Sequence, residues 1–165
     1  MPNDAELLRS YLLRRDEAAF AELVRRHLPV IYNAALRRVR GRADLAEDVV
    51  QQVFCDVARK AALLVHHPVL IGWLHRSTRY AAIDVLRREG RREKLARELI
   101  SMPDNHPDDQ TAVPWEQLRT VLDEALDDLS ARDRELVLLR YFSGLTFAEA
   151  GARFVLREDA ARRRT

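Results

Sequence analysis

The residues best suited to chemistry lie in one stretch, Gly72-Trp73-Leu74-His75-Arg76-Ser77-Thr78-Arg79-Tyr80-Ala81-Ala82-Ile83-Asp84-Val85-Leu86-Arg87-Arg88. At about 100° per residue, a helix here gathers Leu74, Thr78, Ala81, Ala82 and Val85 on one face, the one to bury. Trp73, Arg76, Tyr80, Ile83 and Arg87 fall roughly opposite. A merely solvated face would carry Glu, Lys and Gln at these places. Guanidinium groups pair with phosphate and flat rings stack on unpaired bases, so the pattern suits nucleic acid, single strands included. The plainer reading packs Trp73 and Tyr80 on a neighbouring helix and leaves the arginines as solubilising groups. The helix by itself supports both.

A second candidate lies near the C-terminus. Residues 144–153, Gly-Leu-Thr-Phe-Ala-Glu-Ala-Gly-Ala-Arg, then a short turn and Glu158-Asp159-Ala160-Ala161-Arg162, fit a helix-turn-helix. Two short helices crossing steeply need small residues at the contact, and Ala148, Ala150, Gly151 and Ala152 supply them. The second helix would enter a major groove with its first residues nearest the bases. A plain three-helix core would look similar. Cys55, His27, His66, His67 and His75 follow no metal-ligand spacing, so neither metal nor cofactor is expected. There is no Gly-rich phosphate loop, and no acidic group lies in a stretch that implies a catalytic pocket. A non-enzymatic protein is expected.

The elements that position these residues follow from composition and period. The chain has 165 residues, 47% hydrophobic and 33% charged, with only 5 glycines. The abundance of Leu, Ala, Arg and Glu favours an all-α fold. Net charge is only +2, but bases crowd at 76–97 and 157–164 and acids at 44–56 and 104–128, so the chain can meet two kinds of surface. A single cysteine permits no internal disulfide, which fits a reducing cytoplasm. No apolar run approaches the roughly 20 residues that span a bilayer, so no membrane insertion is expected.

Residues 4–13 predict a short helix with Leu7, Leu8 and Tyr11 inward. A second runs from about Glu17 to Val39, kinked or broken at Pro29 and ended by Gly41. Asp44, with Glu47 as capping-box partner, would open a third over about 45–64. That helix buries Leu45, Val49, Val53 and Val57, joined by Ala46, Phe54 and Ala61, packs Cys55, and leaves Asp48, Gln51, Gln52 and Asp56 outside. The arginine-rich helix follows and extends towards Leu99. Pro103, Pro107 and Pro114 with neighbouring aspartates mark 101–114 as a flexible acidic linker. Beyond it, Leu118, Val121, Leu122, Ala125 and Leu129 form one amphipathic helix. Ser130 with Asp133 opens the next, which buries Leu136, Val137, Leu139 and Tyr141 or Phe142. Ser143-Gly144 closes it, and Thr146 with Glu149 makes a capping box. The expectation is two small helical domains, 1–100 and 115–165, joined by the linker.

Three stretches occur together: Asp44-Leu45-Ala46-Glu47-Asp48-Val49-Val50-Gln51-Gln52-Val53-Phe54, then Gly72 to Arg88, then Leu129-Ser130-Ala131-Arg132-Asp133-Arg134-Glu135 through the helix-turn-helix. In this order the chain closely resembles the bacterial RNA polymerase sigma factors of the extracytoplasmic-function (ECF) group, over about 18–163. The resemblance implies a first domain (region 2) that binds the clamp helices of polymerase β′ and opens and reads the −10 promoter element. It implies a second (region 4) that reads the −35 element and touches the β flap, and regulation by an anti-sigma factor or another regulator. Carried over residue by residue, Asp48, Gln51, Gln52 and Phe54 belong to the core polymerase contact. Lys60, His66, His67, Trp73, Arg76, Tyr80, Arg87 and Arg88 belong to −10 DNA, and Glu158, Asp159, Arg162 and Arg163 to −35 DNA. The family usually has Glu where Gln52 stands and often Asn where Tyr80 stands. It has Gly near Val155, Ser or Thr near Arg157, and a chain running past Arg164. With neither a φ > 0 residue nor a helix cap supplied, and at most about 12 Å of final helix, region 4 is expected to be short and frayed after about Ala161. The alternative is therefore a sigma-like decoy that binds polymerase or an anti-sigma factor without competent −35 recognition. A free-standing regulator is disfavoured, since it has no use for residues 44–54.

Overall fold

The computed structural model describes residues 2–67, 69–100 (backbone alone from 97) and 125–165, and among them there is no strand. The elements are α1 (Asp4–Arg14), α2 (Glu17–Arg38), α3 (Ala43–Leu64), α4 (Leu70–Ile100), α5 (Ala131–Val137), α6 (Phe147–Ala152) and α7 (Glu158–Arg164). One further helical turn covers 125–128. The expected linker 101–114 and Leu118, Val121 and Leu122 lie outside the described residues.

Local chemistry explains most boundaries. Asn3 and Glu6 form a reciprocal capping box at the start of α1, and Arg15 in the left-handed region ends it. Asp16 caps α2 by accepting the Ala19 N–H. Pro29 does not break α2, which is one helix from end to end. Pro29 is exposed, so the carbonyl deprived of its donor can turn to water. Ile31, Ala34 and Ala35 on the other side anchor the helix in the core. Gly41, at φ 79°, ends the turn that follows. The predicted Asp44–Glu47 cap is absent. Arg42 stands at the N-cap of α3 without a side-chain cap bond, and Asp44 sits two residues further in, 3.2 Å from Arg42. Arg42 also reaches Glu89 at 3.2 Å and Glu93 at 3.6 Å, tying the start of α3 to the middle of α4.

Helices α1 to α4 enclose one core, in which Leu8, Leu23, Ile31, Val49, Val53, Val57 and Leu74 are almost fully buried. Each such side chain contributes about 1.5–3 kcal/mol by leaving water. Cys55 is exposed, not packed, because Val53, Phe54 and Val57 take the inner face of α3. The second core holds Leu136, Leu138, Leu139, Ala150 and Ala161, and Val69, just before α4, and Ile71, in its first turn, belong to it. In the turn at 125–128 Leu126 is buried, while Ala125 and Leu129 are exposed, so the amphipathic phase read from sequence was off by one position there. Leu138 is buried and Tyr141 is 62% exposed; Val137 and Phe142 are half-buried. The cause is a π-type turn, Leu138–Phe142, in which the Ser143 N–H bonds to Leu138 O at 3.1 Å. The wider turn rotates side chains away from the 3.6-residue phase.

Candidate nucleic-acid interface

Helix α4 buries the face predicted for it, with Leu74, Thr78, Ala81, Ala82 and Val85 between 0% and 5% exposed. Thr78 satisfies its hydroxyl by donating to Leu74 O at 2.8 Å, so the polar group costs little inside. With that face held, Arg76, Tyr80, Ile83 and Arg87 must point outward. Tyr80 is 60% exposed and Ile83 36%. Trp73 is half-buried and packs at the edge of the first core, with the Lys60 ammonium 5.7 Å from its ring centre. The structure thereby brings Lys60 of α3 to the aromatic head of the α4 face. His66 is exposed and His67 half-buried in the loop between them, and the Val69 N–H donates to His67 Nδ1.

Asp48 and Gln51 are exposed on α3. Phe54, 8% exposed, packs in the first core, as the periodicity of α3 predicts. Gln52 is half-buried and accepts a hydrogen bond from Arg88. One bond therefore joins the amide end of the α3 face to the arginine end of the α4 face. Sequence reasoning assigned these two residues to separate sites and could not see them meet. It also passed over Arg38 of α2 and Arg79 of α4, which share one carboxylate, that of Asp127.

In the second unit α6 and α7 form the predicted helix-turn-helix. Thr146 and Glu149 make a complete capping box, which holds the Glu149 carboxyl below its ordinary pKa through its backbone and hydroxyl bonds to Thr146. The helices cross closely: a Cβ on Gly151 would come within 3.1 Å of Ala161 Cβ and 2.9 Å of Leu156 O, so only glycine fits. Val155 adopts φ 57° where a glycine was wanted, and Arg157 caps α7 without a side-chain bond. Even so, α7 is not frayed after Ala161. It continues to Arg164, whose Nε bonds to Asp133 of α5 at 2.6 Å. Arg162 lies over the Phe147 ring at 5.3 Å. Tertiary contacts, not propensity, hold this short helix. Glu158, Asp159, Arg162 and Arg163 are all exposed along it.

Residues 23–92 match the family profile of Sigma-70 region 2, and residues 119–165 match that of Sigma-70, region 4. The chain is 31% identical over 147 residues to the ECF RNA polymerase sigma factor RpoE of Cereibacter sphaeroides, covering 88% of this chain and 80% of RpoE. The chain belongs to the ECF family of RNA polymerase sigma factors. It is also 35% identical over 148 residues to the RNA polymerase sigma factor CarQ of Myxococcus xanthus, covering 88% of this chain and 82% of CarQ. To the ECF sigma factor SigE of Mycolicibacterium smegmatis it is 34% identical over 143 residues, covering 83% of this chain but only about half, 54%, of SigE. Among solved structures, the Bartonella quintana sigma factor RpoE in complex with the anti-sigma factor NepR aligns with TM-score 0.42 and 22% identity, covering 88% of this chain and 89% of that one. Region 2 thus runs from α2 to the middle of α4, and region 4 contains α5 to α7 of this sigma factor. No helix among the described residues is long and apolar enough to cross a membrane.

Proposed function

We propose that this sigma factor binds core RNA polymerase and directs promoter-specific initiation, without catalysis of its own and in the cytoplasm. The observation that carries the reading is the continuous surface made by α3 and α4. Exposed Asp48 and Gln51 lie at one end, the exposed Arg76, Tyr80, Ile83 and Arg87 at the other, and the Gln52–Arg88 bond joins them. In this reading Asp48, Gln51 and Gln52 dock on the β′ clamp helices. Lys60, His66, His67, Trp73, Arg76, Tyr80, Arg87 and Arg88 receive opened −10 DNA, the arginines on phosphate and the rings against bases. The α7 residues Glu158, Asp159, Arg162 and Arg163 approach −35 DNA. An anti-sigma factor is the expected regulator.

The test is run-off transcription with core polymerase, alone and with the chain, on a library of promoter fragments. Promoter-dependent transcripts that need the chain are expected. Asp48→Arg should lower core affinity in competition by roughly tenfold, about 1.4 kcal/mol, by placing positive charge against a basic groove. The fold should be unchanged, since Asp48 is exposed. Core binding without any specific transcript would favour the decoy.

A further inference from the structure

A cavity of about 430 Å³ opens between the two units, within the size range of small-molecule sites, about 300–1,000 Å³. Of the residues read above as polymerase or DNA contacts, only His67 lines it. The start of α1, the middle of α2 and the approach to α4 form one side. The π turn and the loop beyond it form the other, with Arg153 at the C-cap of α6. The lining divides by type. Leu8, Val30, Leu64, Leu139, Phe142 and Leu145 make an apolar body. The polar remainder is cationic on balance, because one carboxylate, that of Asp4, stands against Arg26 and Arg153. Asp4 is already matched within the fold: His27 Nε2 lies 2.9 Å from one oxygen and Arg26 Nη1 2.7 Å from the other. Arg153 is different. It is exposed, and its guanidinium makes no hydrogen bond or ion pair among the described residues. His67 accepts the Val69 N–H at Nδ1, so its neutral ring carries the proton on Nε2 and can donate there.

We propose that this cavity binds a small amphipathic monocarboxylate, its hydrocarbon body against the leucines, Val30 and Phe142 and its carboxylate on Arg153 and His67. The charge of the site selects the head group. One unmatched guanidinium calls for one negative charge, and a dianion would bring an uncompensated charge towards Asp4. An amine would meet Arg26 and Arg153 and be repelled. A neutral alcohol would gain the apolar contact and forgo the ion pair. The volume and the apolar lining select the body, since each methylene that leaves water tightens binding about fourfold. A carboxylate at an exposed arginine adds roughly a further fivefold. The lining comes from both units, so an occupant binds the folded chain as a whole and raises its melting temperature with concentration.

The test is an NMR titration of the isotope-labelled full chain with octanoate, hexanoate, octanol and octylammonium. Octanoate should give saturable one-site shifts at the amides of Ala5, His67 and Leu145, all on the lining. It should bind about fifteenfold more tightly than hexanoate, which is two methylenes shorter. Octanol should bind roughly fivefold more weakly than octanoate, and octylammonium more weakly still. Arg153→Gln should lower octanoate affinity roughly fivefold and leave octanol unchanged. Arg157→Gln, at an exposed arginine off the lining, should match the parent. Ala5→Phe, which puts a ring into the wall, should abolish binding of both at parental helix content. Octylammonium binding as tightly as octanoate, or equal affinity in the two arginine variants, would overturn the carboxylate assignment. No saturable shift at the lining, or octanoate affinity kept by a folded Ala5→Phe, would overturn the site.

Discussion

At the scale of single residues, Val155 is the clearest departure from local preference. It is β-branched, 96% exposed, and held at φ 57°. A left-handed conformation costs such a residue about 1–2 kcal/mol, and no packing compensates for it. Val155→Gly should therefore stabilise region 4 by about 0.5–1 kcal/mol, net of the larger chain entropy of glycine. Chemical denaturation followed by helix signal would show it, and a variant less stable than the parent would mean the turn is not strained. On α4 the residue types divide the work. Replacing Arg76 and Arg87 together should weaken promoter DNA binding in the holoenzyme and flatten its salt dependence, because each phosphate contact releases counterions. Tyr80→Ala should impair opening or base preference at nearly unchanged salt slope. Identical behaviour of the two variants would contradict the division.

At the scale of elements, short helices here depend on what they lean against. Helix α1 has 11 residues and is pinned to α2 by Asp4. His27 Nε2 lies 2.9 Å from Asp4 Oδ2, and Arg26 donates to Asp4 Oδ1 at 2.7 Å. Burial pushes the Asp4 carboxyl up, but the bonds from His27 and Arg26 outweigh it and leave the pKa below its ordinary value. A carboxyl lowered in the fold contributes stability above its unfolded pKa, near 3.9, and that contribution is lost as pH falls through the lowered value. Acid titration should thus release α1 below about pH 4, seen as loss of the Tyr11–Phe20 ring contact, whose centroids are 4.8 Å apart. Asp4→Asn should remove this acid limb and cost roughly 1 kcal/mol at neutral pH. An unchanged acid limb would place the sensitivity elsewhere. Helix α7, with seven residues, makes the same point through Arg164 and Asp133. Bonding to Arg164 and then to Ser130 lowers the Asp133 pKa.

At the scale of the whole molecule, Val69 and Ile71 pack on Leu136, Leu138 and Leu139 of region 4, and two acids beside this seam should act in opposite directions. Asp127 holds it, its carboxylate shared by Arg38 and Arg79 at 3.1 and 3.4 Å. Glu135 opposes it: desolvation beside Gly72 raises its pKa, against the lowering effects of His67, Arg76 and Arg134. A carboxyl whose pKa is raised in the closed form favours that form as pH falls through the raised value and disfavours it when ionised. Glu135→Gln should therefore raise the population of the closed state at neutral pH, read as distances between spin labels on Cys55 and Ser143→Cys, whereas Asp127→Asn, which removes the same charge, should lower it. If both substitutions open the chain, net charge and not local geometry governs the seam.

Much of this was legible from the residues alone. The inner stripe of α4, the capping box at Thr146, the Ser130 cap and the helix-turn-helix all depend on neighbours within a turn or two, and such short-range rules act wherever the helix lies. The same holds for the exposure of Asp48, Gln51, Arg76 and Tyr80, which follows from the stripe opposite them. Phe54 falls on the inner face of α3 by periodicity and the core does claim it; only the family resemblance had grouped it with its exposed motif mates. What the residues alone did not determine depends on distant partners. Fraying was expected of α7 because Asp133, 31 residues away, was not in view. Asp44 was read as a cap, although Arg42 and the α4 carboxylates set that terminus. The π turn at Leu138–Phe142 shifted the phase of a helix that periodicity alone would have run straight. Above all, only the tertiary structure decided that Val69 and Ile71 leave their own unit and that Asp127 finds Arg38 and Arg79. Burial and ion pairing between residues far apart in sequence are properties of the assembled surfaces, and no spacing rule along the chain encodes them.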